Sequence, residues 1–259
     1  MGRTVRCWLS HFLASSFAPS PPAFRKHPSL AFTRRERTPL RRSLPSKTVH
    51  LTHQQGVAML INAYFEALVG KLRDLQRLEG PGIAQLADIC AKSIAAGGVL
   101  HLFDTGHMVT SELVNRAGGL LAISPLSFSI NVNNPSLHRD RQKPAPPPGD
   151  PELVSLALRR SNVRPGDVLV IGSVSGKGAL PVELALQARA MGVTTVALTA
   201  VAYSSQLTSE HPSGKLLFQA ADLVIDNHAD YGDAMREVEG FDGKVCPAAG
   251  ICAAAALWA

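Results

Sequence analysis

The run DVLVIGSVSGKGALPVELAL, residues 167–186, constrains the fold more tightly than any other part of the chain. Its segment 168–171 is apolar throughout, as in a strand buried on both faces of a parallel sheet. From 180 onward, apolar residues fall at 180, 182, 184 and 186 with small or polar ones between them. Pro181 suits the first turn of a helix, where its missing N–H is not needed. A buried strand, a polar loop and a helix in direct succession point to an open α/β sheet. The loop of Ser173, Ser175, Gly176 and Lys177 then lies between a strand's carboxyl end and a helix's amino end. Ligands of such sheets bind there, and free N–H groups with the helix dipole favour an anion.

The loop fits none of the common nucleotide or hydrolase motifs. A P-loop places four residues between its glycines and a Ser or Thr after its Lys. Here three residues separate Gly172 from Gly176, and Lys177 is followed by Gly178. A nucleophile elbow needs Gly two positions before its Ser, whereas position 173 is itself Ser. The G-x-G-x-x-G dinucleotide spacing is absent. Two hydroxyls, a cation and permissive glycines remain, which suits a phosphate monoester that is held rather than hydrolysed. The competing reading is an ordinary βα turn rich in small residues.

The formal net charge of +6 could suggest nucleic acid, but the charge is unevenly placed. Residues 1–55 hold ten of the 26 Lys and Arg and one of the 20 acids, Glu36, which leaves 56–259 at a net −3. A mildly acidic folded part argues against direct nucleic-acid binding. The basic segment is rich in Arg, Ser and Pro and lacks the apolar core of a secretory signal. It reads as a disordered extension or spurious upstream sequence, with an organelle transit peptide as the alternative, and the expected location is cytoplasmic. No run approaches the ~18 apolar residues of a membrane span. Cys7, Cys90, Cys246 and Cys252 form no C-x-x-C pair, which fits a reducing compartment.

The rest of 56–259 alternates strand and helix. Residues 57–78 carry a helical apolar pattern, EGPG at 79–82 predicts a break, and a second helix ends at paired glycines, giving a helical hairpin ahead of the sheet. Strands are expected at 99–103, 120–124, 168–171, 193–200 and 222–227. Helices are expected from the turn DTGHMV through Asn115, at 151–161, and from near Pro247, with the chain stopping inside this last one. The Pro-rich stretch 131–151 is expected to be a mobile loop over the site. The alternation predicts a parallel sheet covered on both faces.

Four segments in this order resemble the SIS (sugar isomerase) domain family, and in particular its small bacterial phosphosugar-binding branch. They are LFDTGHMVTSELVNRAGG, RPGDVLVIGSVSGKGALPVELALQARAMG, ALTAVAYSS with HPSGKLL, and ADLVIDNHADYGDA. The resemblance spans roughly residues 57–259. It implies a flavodoxin-like three-layer sandwich, usually dimeric, with a phosphosugar at the strand carboxyl ends and its phosphate on Ser173, Ser175 and Gly176. Gly106, His107 and Lys177 complete the expected binding set, and no cofactor or metal is implied. The homodimer is expected to use mainly residues 57–97.

For chemistry, aldose–ketose isomerisation needs a base to move a proton between adjacent carbons. Glu112 is the candidate base, against a solvated helix carboxylate. His107, at a helix amino end that disfavours its protonation, is the candidate for positioning the sugar oxygen, against a structural hydrogen bond. His211 and His228 are weaker candidates. Asp226, His228, Asp230 and Asp233 read as turn-capping residues before they read as metal ligands. Several positions depart from the family pattern: Asp104 and Met108 in the first turn, Gly178, and Ala248 and Ala249 where relatives open the last helix with Ser or Thr. Any isomerase activity is therefore expected to be weak or absent. A non-catalytic phosphosugar sensor and an amino-sugar phosphate lyase stand as the other readings.

Overall fold

The structure, a computed structural model, describes residues 53–105, 110–130, 147–238 and 240–259. Its centre is a sheet of five parallel strands: β1 (Leu100–Asp104), β2 (Ile123–Pro125), β3 (Val168–Gly172), β4 (Thr194–Thr199) and β5 (Leu223–Asp226). The spatial order is β2-β1-β3-β4-β5. Before the sheet runs α1 (His53–Ala95). Between the strands lie α2 (Thr110–Leu113), α3 (Pro151–Arg160), α4 (Ala179–Ala190), α5 (Val201–Ser204) and α6 (Leu217–Ala220). After β5 come a 3-10 turn (Tyr231–Asp233), an antiparallel ribbon of β6 (Arg236–Glu237) and β7 (Lys244–Val245), and α7 (Ala249–Trp258).

Successive strand residues point to opposite faces, and here both faces are apolar. Val168 and Val170 of β3, Val196 and Leu198 of β4, and Ile225 of β5 pack with Leu68, Leu75 and Leu86 of α1 and Cys252 and Ala253 of α7. Leu169, Ile171 and Ala197 face the other way, onto Val154 and Leu158 of α3, Val182 and Leu184 of α4, and Leu217 of α6. This is the expected three-layer α/β sandwich. The strand order is the flavodoxin-like one, and its direction reverses between β1 and β3. Ligands of such sheets sit at that reversal, outside the strand carboxyl ends.

The expected helical hairpin is replaced by one continuous helix of 43 residues with Pro81 inside it. An interior proline costs roughly 3 kcal/mol. Burial on either side of it outweighs that cost, because Leu68, Leu75 and Leu86 lie on one stripe against the sheet and are 8%, 4% and 6% exposed. α1 runs close to β5 at Gly82, where a Cβ would make ordinary van der Waals contact with the Ile225 side chain at 3.5 Å. Glu79, in the segment expected to break, is tied to β5: its carboxylate accepts from Asp226 N–H at 3.2 Å and pairs with His228 Nε2 at 3.0 Å.

Two smaller expectations also change. The helix after the first turn is a four-residue piece, and Asn115 beyond it takes a left-handed φ of 58°. The apolar pair Leu120 and Leu121 is not in a strand; Leu121 is wholly exposed, and β2 starts at Ile123, opposite Leu100. Most of the Pro-rich stretch (131–146) and nearly all of the basic segment (1–52) lie outside the described residues.

Candidate functional site

The reversal sets the two loops leaving β1 and β3 side by side. Asp104 is in register with Gly172, and Thr105 N–H donates to the Gly172 carbonyl at 3.1 Å. Thr105, Ser173, Val174 and Ser175 line a pocket of about 360 Å³ together with Tyr203, Gly232 and Asp233. Each contributor comes from the carboxyl end of a strand or the segment after it. Ser173 is buried and Ser175 half-buried.

The β3 loop is held by its carbonyls. Val174 C=O accepts from Ala200 N–H at 3.0 Å and from the Thr199 hydroxyl at 3.1 Å. Gly176 C=O accepts from Leu217 N–H at 2.8 Å, and Lys177 C=O from Glu210 N–H at 2.9 Å. The N–H groups of Ser175, Gly176 and Lys177 donate to no group among the described residues. Gly178, the N-cap of α4, offers no side-chain cap either. Donors without partners at a helix amino end favour a negatively charged ligand. Gly176 is required here: its φ is +58°, and a Cβ would lie 2.9 Å from Ser204 Oγ and 3.0 Å from Thr199 Oγ1. Ser204 Oγ is itself buried with no hydrogen-bond partner among the described residues.

The surrounding carboxylates are mostly committed. Asp226 accepts from Val201 N–H and His228 N–H at 3.1 and 2.8 Å. Asp230 pairs with Lys71 at 2.7 Å. Asp233 Oδ1 accepts from Ala248 N–H and Ala249 N–H at 3.0 and 2.9 Å, and so caps α7. Among the described residues no group of three or more His, Cys, Asp or Glu could hold a metal ion. On the far side of the loop, His211 fastens the 205–216 segment to α4. Its Nδ1 accepts from Ser213 N–H at 3.1 Å, so Nε2–H donates to Glu183 Oε2 at 2.6 Å. Burial pushes the Glu183 carboxyl up, but hydrogen bonds from Gln187 and His211 outweigh it and hold it below the ordinary value.

The sequence profile of the SIS domain matches residues 63–200, more than half of the chain. A UPF0309 protein of Streptomyces avermitilis is 35% identical over 206 residues, covering 77% of this chain and 80% of its own. The chain belongs to the SIS domain family. A second relative, a UPF0309 protein of Geobacillus thermodenitrificans, is 31% identical over 200 residues, covering 76% of this chain and 79% of its own. Among solved structures, a phosphoheptose isomerase from Francisella tularensis aligns over 67% of this chain and 87% of its own, with TM-score 0.43 and 17% identity. One from Neisseria gonorrhoeae aligns over 66% and 85%, with TM-score 0.42 and 16% identity.

Within this SIS domain, the structure brings Ser173 and Ser175 into one pocket, with Gly176 as the backbone pivot beneath them. Lys177 does not line it; its ammonium is 2.7 Å from Glu210, whose hydrogen bond pushes its pKa up. Glu112 is also outside the lining, half-exposed and 2.7 Å from Arg116. Gly106 and His107 lie outside the described residues. Asp104 uses Oδ2 to accept from the N–H and hydroxyl of Thr110 at 2.8 and 2.7 Å, and so starts α2. Thr105, Tyr203 and Gly232 are pocket residues that sequence reasoning passed over, whereas Asp233, read from sequence as a turn-capping carboxylate, both caps α7 and lines the pocket. No helix among the described residues is long and apolar enough to cross a membrane.

Proposed function

We propose that this SIS domain binds a phosphorylated sugar in carbohydrate-derivative metabolism, with the phosphate on the loop of Ser173, Ser175 and Gly176. The observation that carries the reading is the set of unpartnered N–H groups at Ser175, Gly176 and Lys177, at the uncapped start of α4 and beside two hydroxyls in one pocket. Lys177 serves as a nearby positive charge rather than a direct ligand, given its bond to Glu210. Gly106 and His107 are proposed to complete the binding set.

Phosphosugar sensing without turnover is the second reading. It is favoured by Glu112, the proposed base for an aldose–ketose isomerase, being paired with Arg116 away from the pocket. Weak or absent isomerisation is the expected outcome, with His107 positioning the sugar oxygen in any residual reaction. The domain is further proposed to work as a homodimer through α1, where Ile61, Phe65 and Val69 expose apolar surface at four-residue spacing.

A thermal-shift screen of hexose, amino-sugar and pentose phosphates finds the best ligand, and calorimetry then compares wild type with Ser175→Ala. Loss of a hydrogen bond to a charged group is worth about 1.5–3 kcal/mol, so affinity should fall roughly tenfold or more. Unchanged affinity would remove Ser175 from the phosphate site. Proton exchange at carbon 2 of the bound sugar, followed by NMR in heavy water, separates the two readings. Rapid exchange abolished by Glu112→Gln establishes an isomerase, and no exchange supports the sensor.

A further inference from the structure

The pocket has two helix amino ends near it, and they are treated differently. α4 begins at Gly178 with no side-chain cap, whereas α7 begins with its first N–H groups already taken by Asp233 Oδ1. That carboxylate belongs to the same pocket lining as Ser173 and Ser175. Its second oxygen, Oδ2, makes no hydrogen bond to the described residues, and no cation among them pairs with it. The carboxylate is held by backbone as well as by the cap: Asp233 takes a left-handed φ of 52°, and its N–H donates to Asp230 C=O at 2.9 Å. A ligand in this pocket therefore meets free N–H donors on the β3 loop and a fixed negative charge at Asp233.

We infer that Asp233 is a specificity-determining residue, selecting monophosphates whose other end is neutral and rich in hydroxyls over those that carry a second negative charge there. The inference rests on the phosphosugar reading above and adds the direction in which the ligand lies. Of the amino ends of α4 and α7, the phosphate is drawn to that of α4, because α7 already holds an anion of its own. The sugar hydroxyls then donate to Asp233 Oδ2, an acceptor with spare capacity. A carboxylate or second phosphate at that end would meet a like charge, which disfavours binding. The Pro247-Ala248-Ala249-Gly250 opening of the last helix thus retains a polar group at the pocket, contributed from fifteen residues upstream of Ala248.

The test uses glucose 6-phosphate, 6-phosphogluconate and inorganic phosphate as probes against the full chain, with binding followed by phosphorus NMR. The end opposite the phosphate is a neutral hemiacetal in glucose 6-phosphate and an open-chain carboxylate in 6-phosphogluconate, so the comparison of each variant with wild type isolates the charge. Wild type should prefer glucose 6-phosphate, and Asp233→Asn should shrink that preference by about tenfold, as expected for removing one like-charge contact. Inorganic phosphate should bind both proteins equally. The Asn side chain keeps an oxygen for the Ala248 and Ala249 N–H groups and tolerates the left-handed backbone. If its melting temperature nonetheless falls sharply, Asp233→Ser, a shorter neutral cap, takes its place with the same expectation. An unchanged preference in a folded variant that still binds inorganic phosphate overturns the role of Asp233 and leaves the phosphate site standing. Wild type that binds none of the three probes overturns the phosphate site, and this inference with it.

Discussion

Replacing Gly176 by Ala tests whether the β3 loop is as closely held as its contacts require. Two effects should add. At φ +58° a side chain brings the left-handed penalty, roughly 1–2 kcal/mol. The new Cβ would also lie 2.9 Å from Ser204 Oγ, 3.0 Å from Thr199 Oγ1 and 3.3 Å from Leu217 Cβ. Neither Thr199 nor Leu217 can yield easily, because both are wholly buried and Thr199 is bonded to the loop carbonyl of Val174. Overpacking of this kind typically costs about 1–3 kcal/mol, so the total should be roughly 2–5 kcal/mol. Gly214→Ala is the control: its φ is +71°, but nothing lies within 4 Å of the added Cβ, so it should show the backbone term alone. Urea unfolding of both variants, extrapolated to water, gives the difference directly. Equal losses for the two would show that the loop does not sit against β4 and α6 as described, and would undercut the shape assigned to the phosphate site.

Three further outcomes follow from other parts of the fold. Burial pushes the Asp167 carboxyl up, but hydrogen bonds from Val99 N–H, Arg164 N–H and His101 outweigh this and hold it below the ordinary carboxylate value. Its stabilisation is therefore present above the unfolded value of about 3.9 and lost as pH falls through the folded one; urea titrations should show an acid-side decline that Asp167→Asn flattens. Glu79→Ala removes the partner of both Asp226 N–H and His228 from a largely buried position and should cost about 1–3 kcal/mol by the same measurement. Phe65→Glu, on the exposed face of α1, should convert a dimer to a monomer in light scattering at micromolar concentration with little change in far-UV circular dichroism; a wild-type monomer would refute the dimer outright.

The sheet was legible because its signal is local. Four consecutive apolar residues at 168–171, running into a polar loop and a helix, suit a strand covered on both faces, and the structure buries every one of them, alternating between the two helical layers. The order of strands was legible only through the family resemblance, since periodicity says nothing about which strand lies beside which. The proline at 81 shows the opposite case. Local propensity predicts a break there, and the stripe of Leu68, Leu75 and Leu86 overrides it because sheet burial outweighs one lost helical hydrogen bond.

The site divides along the same line. Ser173, Ser175 and Gly176 are neighbours in sequence, so their shared place in one loop at the strand's carboxyl end could be read directly. Lys177 is their neighbour too, yet its charge goes to Glu210, which no spacing rule connects to it. Glu112 likewise pairs with Arg116, which lies beyond the end of α2 and past the left-handed Asn115, so a helical spacing rule does not account for the pairing. Ala248 and Ala249 are the sharper lesson. Read locally, two alanines at a helix start mean an absent cap and a lost polar wall. In the folded chain a carboxylate from the preceding 3-10 turn supplies the cap and belongs to the pocket wall. A helix amino end needs acceptors, but it does not specify from where in the chain they come. Substitution at the cap position therefore cannot be scored as a loss of function until the partner of each N–H is known, and at this site that partner is the residue most able to choose the ligand.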